Sequence, residues 1–296
     1  MFWKETFWKG LVTLGGYIII LLTLTIGFFL VYRGMGTFTT YGHSIKEFLF
    51  STEWKPVDYF DGGGQVGAAI YIVGSITTCG LALCIATPFS LAAAIFMTEI
   101  TPKLGKVVFQ PVVEIFVGIP SVVYGYLGLT ILCPAIKAIF PETFGGFSVL
   151  AAGLVLAIMI FPTITTITAD AIRGVNKGYR EASYGLGATR WQTIYKVILP
   201  SAKGGIYTGI ILGLARAFGE ALAVAMVIGR FRALPKNMLS PTHNLTAAIA
   251  ADMSGSADGG ELNIALWTMA LLLFLISLFF IFLVHYIAGR GEKVNG

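Results

Sequence analysis

The chain has 296 residues, is 56% hydrophobic and 12% charged, and carries a formal net charge of +5. Ordinary soluble domains are roughly 45–50% apolar and about 25% charged, so the composition excludes a water-soluble enzyme. Windows without Asp, Glu, Lys or Arg separate Asp61 from Glu99, Glu142 from Asp170 and Glu261 from Arg290. Each is long enough to cross a hydrocarbon core of about 30 Å, which reads as an all-α, polytopic membrane protein.

The first apolar run, 11–32, holds 22 uncharged residues after Lys4 and Lys9. It is too long for a cleaved apolar core of about 7–15 residues and lacks a small-residue cleavage site, so it is read as a retained span. Further spans are expected at 67–97, 112–134, 147–169, 206–229 and 264–288, which makes six transmembrane helices. The chain then divides into a first span with an outer loop (1–66), a core (67–288) and a short tail (289–296). With the amino terminus inside, inner segments hold twelve Lys and Arg and outer segments seven, with Arg216 within a span. Positive residues near span ends stay on the cytoplasmic side, so both termini are expected in the cytoplasm. This asymmetry, together with anionic lipid, accounts for the positive charge, and no nucleic acid partner is expected.

Several chemistries have no residues to carry them. Cys79, Cys84 and Cys133 form no C-x-x-C pair, and His43, His243 and His285 are scattered, so neither a disulfide framework nor a metal site is expected. No G-x-x-x-x-G-K-[ST] phosphate loop occurs. If the chain does driven work, another subunit supplies the energy. Asn244-Leu245-Thr246 fits a glycosylation triplet, a pattern that arises often by chance.

The segment 170–203 alternates basic and apolar residues in a loop too long for a simple turn. Two short helices are expected, at 179–186 and 188–199, joined at Gly185 and Gly187, with Pro200 stopping the second. Tyr184, Trp191, Ile194, Tyr195 and Val197 are large and need a lipid interface or a protein partner. An interfacial amphipathic helix is one reading. The other rests on spacing: Glu181-Ala182-Ser183, then Gly187 at the seventh position and Leu199-Pro200 at the nineteenth and twentieth. This resembles the EAA loop of bacterial ABC import permeases, with Ser183 and Val197 in place of Ala and Ile. The resemblance implies that Glu181, Ala182, Gly187, Leu199 and Pro200 belong to a surface that couples a cytoplasmic ATPase to the membrane helices.

In the fifth span Arg216 and Glu220 lie four residues apart. At about 100° per residue, Gly209, Gly213, Arg216 and Glu220 fall on one stripe about 60° wide, with Gly205 beside them. Gly-x-x-x-Gly spacing permits close helix packing, and an Arg at mid-membrane costs roughly 2.5–3.5 kcal/mol, so the stripe should face protein or a water-filled path. The two charges could merely neutralise each other. Alternatively, the Arg fork binds a tetrahedral oxyanion, while Glu220 tempers its charge and accepts a proton-bearing oxygen. Glu114 is read as an interfacial carboxylate or a site, and the segment 118–125 as a kink or a path lining, with Pro120 breaking the helix and Ser121 and Tyr124 at membrane depth.

Taken together, the segments 118–125, 161–165, 187–191 and 215–224 resemble the phosphate-specific ABC transporter permeases of the PstC/PstA family, on the PstC-like side. Ala221 stands where that family commonly has Thr. The resemblance covers roughly residues 67 to 288 and implies the type I ABC importer permease fold, in the bacterial cell membrane. It also implies a second, PstA-like permease, two cytoplasmic ATPase subunits that hold ATP and Mg, and an extracytoplasmic phosphate-binding protein. No cofactor is expected in this chain, and inorganic phosphate would pass Arg216, Glu220, Ser121 and Tyr124. The alternatives are another oxyanion (sulfate, molybdate or tungstate) or a non-transporting scaffold in phosphate signalling. A stand-alone secondary carrier is disfavoured by the coupling loop.

Overall fold

The computed structural model describes residues 2–57 and 62–292. Residues 293–296 of the expected tail, Lys293 among them, lie outside the described residues, as does the loop interval 58–61. Six helices are long and apolar enough to cross a membrane: Phe7–Thr39, Ala69–Ile100, Ser121–Ile139, Val149–Arg173, Arg190–Gly219 and Glu261–Ile287. Helices dominate because hydrocarbon offers no partner to a free N–H or C=O, so each span must close its own backbone bonds.

Two expected spans are cut by their own sequence. The third, expected as one helix over 112–134, is divided into Gln110–Gly118 and a helix that begins at Ser121. Ile119 (ψ 127°) and Pro120 (ψ 140°) are extended between them, as expected of a proline and the residue before it. The fifth, expected over 206–229, stops at Gly219, and a separate short helix follows at Leu222–Val227.

Proline acts differently elsewhere. Pro200 does not stop the second cytoplasmic helix, contrary to expectation: the helical path continues from Arg190 to Gly219. A π turn, Ile194–Ile198, precedes it, and the Leu199 N–H reaches back five residues to the Ile194 carbonyl. The widened turn makes room for the ring, and Pro200 falls in the first turn of the next α segment, where its missing N–H has no intrahelical role. The same device recurs before Pro111 and Pro134, with π turns at Gly105–Phe109 and Gly128–Leu132, whereas the π turn Phe96–Ile100 ends at Thr101 (φ −132°, ψ 67°), where the helix breaks before Pro102.

The chain forms two compact units. One comprises the described residues up to Ala68 together with Asp252–Leu275; the other comprises Ala69–Ala251 with the described residues from Ile276. The outer-loop segment thus packs with part of the expected core. In the second unit the fourth span is the most buried of the six, with 61% of its window covered. At one end of that span Ala94, Ile95, Ala169, Ile172, Ile194, Ile198 and Ala202 close a core. Ile194, expected to need an outside partner, is therefore inside the chain's own packing.

In the first unit a two-stranded antiparallel ribbon pairs Trp54 with Val66 and Lys55 with Gln65. Glu261, 1% exposed, holds the ribbon's flanks. Its carboxylate accepts from the Val57 N–H at 2.7 Å, from the Gly64 N–H at 3.0 Å and from His43 Nε2 at 2.8 Å. His43 Nδ1 lies 3.2 Å from Glu47. Burial pulls the His43 pKa down, but the hydrogen bonds to Glu261 and Glu47 outweigh it and the net shift is upward. The protonated ring is therefore the form that holds the clasp. Its contribution is complete below the ordinary His value of about 6.5 and is lost as pH rises through the raised value. Hydrogen-exchange protection at Val57 and Gly64, corrected for the intrinsic pH dependence, should fall as pH rises above the ordinary His value of about 6.5 and through the raised one. His43→Gln should abolish that step, and protection that stays level in the native chain would rule the clasp out.

Candidate translocation and coupling sites

Gly205, Gly209 and Gly213 line the face of the fifth span that meets the fourth. A Cβ on Gly205 would run into Ala171, one on Gly209 would meet Ile167 at 3.3 Å, and one on Gly213 would meet Ile164 at 2.6 Å. Small residues there let the two backbones approach. Arg216, half-buried, continues toward the same neighbour: its Nη1 donates to Thr163 Oγ1 at 2.8 Å. It occupies the last turn of its helix, where unpaired carbonyls carry the negative end of the dipole and favour a cation.

Glu220 does not join that stripe. The helix ends at Gly219, and Glu220 is extended (φ −78°, ψ 120°). Among the described residues no ion pair links Arg216 to Glu220, so the expected partnership at four-residue spacing is corrected by the broken helix. The Glu220 carboxylate instead accepts from the Ala223 N–H at 3.1 Å and caps the short helix after the break. Its backbone carbonyl accepts from the Thr246 hydroxyl at 2.7 Å.

The two helix breaks lie side by side. A Cβ on Gly125 would meet the Ala223 Cα at 2.8 Å, and one on Gly128 would meet Val227 at 2.8 Å. Ser121, half-buried, opens the third span. Tyr124 is buried, and its hydroxyl donates to the Phe116 carbonyl at 2.8 Å, pairing a group freed by the Pro120 break. The Arg216 guanidinium also lies within electrostatic range of Tyr124. Arg216, Thr163, Tyr124 and the two breaks thus form one polar locus within the spans. Glu114 stands apart from it, exposed and accepting from Gln110 Nε2 at 3.0 Å.

The segment that carries the EAA-like spacing folds as a helix at Lys177–Gly185, a turn through Gly187, and a helical stretch from Arg190. Gly187 has φ +79°, a left-handed conformation that glycine adopts at little cost. Asn176 caps the first helix, and a capping box of Thr189 and Gln192 opens the second. Ser183, where the family pattern has Ala, is buried, and its hydroxyl pairs with that of Thr193 at 2.9 Å, joining the two pieces. Glu181 and Ala182 point outward, with Leu186 89% exposed and Trp191 63% exposed. Leu199 is half-buried and Pro200 exposed. The other side of the segment is fastened to the second span. Arg180 pairs with Glu99 at 2.8 Å, and Arg190 donates to the carbonyls of Glu99 and, at 3.1 Å, Ile100.

Three residues with site roles were not singled out from sequence. Glu99 has a legible signal, since it is the acid that ends the charge-free window after Asp61. Thr163 follows Pro162 within the family-like segment 161–165 but becomes meaningful only once Arg216 reaches it. Thr246 belongs to the triplet Asn244-Leu245-Thr246. There Asn244 is 2% exposed, and its Oδ1 accepts from the Ala247 N–H at 3.2 Å, so the triplet caps a helix. Glu99→Ala should cost about 1–2 kcal/mol, the scale of a bond to a charged group, because Arg180 is only part-buried and keeps its bond to the Ile172 carbonyl. Glu99→Ala/Arg180→Ala together should cost clearly less than the sum of the single changes. Thermal unfolding of the purified variants gives the cycle, and strict additivity would show that the pair is not coupled.

The family described as "Binding-protein-dependent transport system inner membrane component" matches residues 86–292. The "Probable ABC transporter permease protein YqgH" of Bacillus subtilis (strain 168) is 46% identical over 284 residues, which are 96% of this chain and 91% of that protein. The "Phosphate transport system permease protein PstC" of Pasteurella multocida (strain Pm70) is 37% identical over 285 residues, covering 90% of this chain and 86% of that protein. In fold, the chain is similar to a structure of the MetNI methionine ABC transporter in an inward-facing conformation. The TM-score is 0.55 at 20% identity, over 75% of this chain and 96% of that chain. This chain belongs to the binding-protein-dependent transport system inner membrane components and is a multi-pass membrane permease of the type I ABC importer fold.

Proposed function

We propose that the chain is the PstC-like permease of an ATP-driven importer of inorganic phosphate. The observation that carries the reading is Arg216, a guanidinium within the spans, held by Thr163 beside two adjacent helix breaks. Similarity to phosphate permeases over most of the chain supports the choice of solute. The guanidinium presents several donors in a plane that matches two oxygens of a tetrahedral oxyanion and keeps its charge at any physiological pH. Ser121 and Tyr124 add hydroxyls along the path, and Glu220 shapes it by capping the helix after the break. The path is completed by a second, PstA-like permease. An extracytoplasmic binding protein delivers phosphate to the outer loops.

Both termini lie in the cytoplasm in this reading, and one of two ATPase subunits docks on the outward face at Glu181, Ala182 and Gly187, the other on the second permease. ATP and Mg are held on those subunits, and this chain transfers solute without breaking bonds in it. The test is uptake of radiolabelled phosphate at low external concentration in cells lacking the chain and in cells with it restored. Uptake should return and resist excess sulfate or molybdate. Arg216→Gln should lower it roughly 10- to 100-fold, the scale of a hydrogen bond to a charged group, while the assembled complex still purifies. Normal uptake by that variant removes Arg216 from the path, and competition by sulfate or molybdate reassigns the solute.

A further inference from the structure

A groove of about 960 Å³ lies between the helix Lys177–Gly185 and the ends of the fifth and sixth spans. Its walls are mostly apolar, with Leu186, Val197 and Ile287 among them; Tyr286 stands at the end of the sixth span, and Tyr207 lies within the fifth. Two lysines, Lys196 and Lys203, line it, and among the described residues no acidic one does. Both lysines are exposed, and neither has a hydrogen-bond or ion-pair partner among the described residues. They sit about two helical turns apart on the approach to and start of the fifth span.

We propose that this groove binds one anionic phospholipid, with its phosphodiester between Lys196 and Lys203 and the upper acyl chains against Leu186, Val197 and Ile287. The position supports this occupant: a tyrosine at a span end marks headgroup depth, and Tyr286 stands at that depth on the sixth span. The charge is complementary, because two unpaired ammonium groups with no acid among the described lining residues favour an anion over a zwitterion. Ala182 and Pro200 of the coupling surface line the groove while Glu181 and Gly187 do not, so the lipid would lie against the edge of that surface, beside a docked ATPase. The proposal does not depend on which solute the permease carries.

The test is native mass spectrometry of the full-length chain, delipidated and then titrated with phosphatidylglycerol or phosphatidylethanolamine, with and without millimolar inorganic phosphate. One phosphatidylglycerol should be retained per chain, phosphatidylethanolamine should not be, and free phosphate should fail to displace the lipid. Each lysine neutralised should weaken retention about fivefold, so Lys196→Gln/Lys203→Gln together should lose about 30-fold. An unchanged melting temperature without lipid would show that the double variant is folded, and Lys196→Glu/Lys203→Glu should abolish retention. The proposal is overturned if the double variant retains lipid like the native chain or if free phosphate displaces the lipid. It is also overturned if added ATPase subunits expel the lipid, which would give the groove to a protein partner.

Discussion

A backbone N–H or C=O left unpaired in hydrocarbon costs several kcal/mol, and the departures of this chain from straight α-helix are arranged around that penalty. Before Pro111, Pro134 and Pro200 the ladder widens into a π turn, so the helix passes each ring without losing its path. At the breaks near Pro120 and Glu220 the ladder opens outright, and side chains take over: Tyr124 for the Phe116 carbonyl, Thr246 for the Glu220 carbonyl, and the Glu220 carboxylate for the Ala223 N–H. Irregular backbone at membrane depth is tolerated where protein covers it or where it lines a cavity. That Arg216 lies beside both breaks is consistent with the same economy, since a place already furnished with polar partners is also where a charge is least costly.

The segment between the fourth and fifth spans shows how a surface helix can act on the membrane part. Its outward side is exposed and partly apolar, as an interaction surface must be. Its inner side is held by Arg180 and Arg190 on Glu99, by the Ser183–Thr193 pair, and by Ile194 and Ile198 packed against Ala94 and Ile172. Close-packed contacts of this kind transmit displacement because they have little room to absorb it. A push on the outward face is therefore delivered to the second, fourth and fifth spans together.

Much of this was legible in the sequence for a physical reason. A hydrocarbon slab forbids scattered charge, so charge-free windows announce spans directly, and six are found in the expected order. The stripe of Gly205, Gly209 and Gly213 was visible because helical periodicity carries spatial meaning while the helix lasts. The failures occur where periodicity is interrupted. Glu220 was placed on the wrong face because nothing in Gly219-Glu220 alone states that the helix ends there; the end is stabilised by Thr246, 26 residues away. Pro200 was read by its usual effect, which the π turn before it cancels. Ile194 was assigned to an outside partner because its burial depends on Ala94 and Ile172, brought to it by the fold. The Glu261 clasp escaped notice because its members, His43, Val57 and Gly64, are hundreds of residues away in sequence or contribute only backbone.

That same carboxylate orders events during synthesis. The bonds from His43 and Val57 to Glu261 span 218 and 204 residues, and the first compact unit is completed by residues 252–275. The ribbon 54–66 leaves the ribosome early, yet the acid that secures it emerges only after four further spans have been made. The segment up to Ala68 is thus made well before the residues that complete its unit, and the spans between them are made while it waits for its last partner.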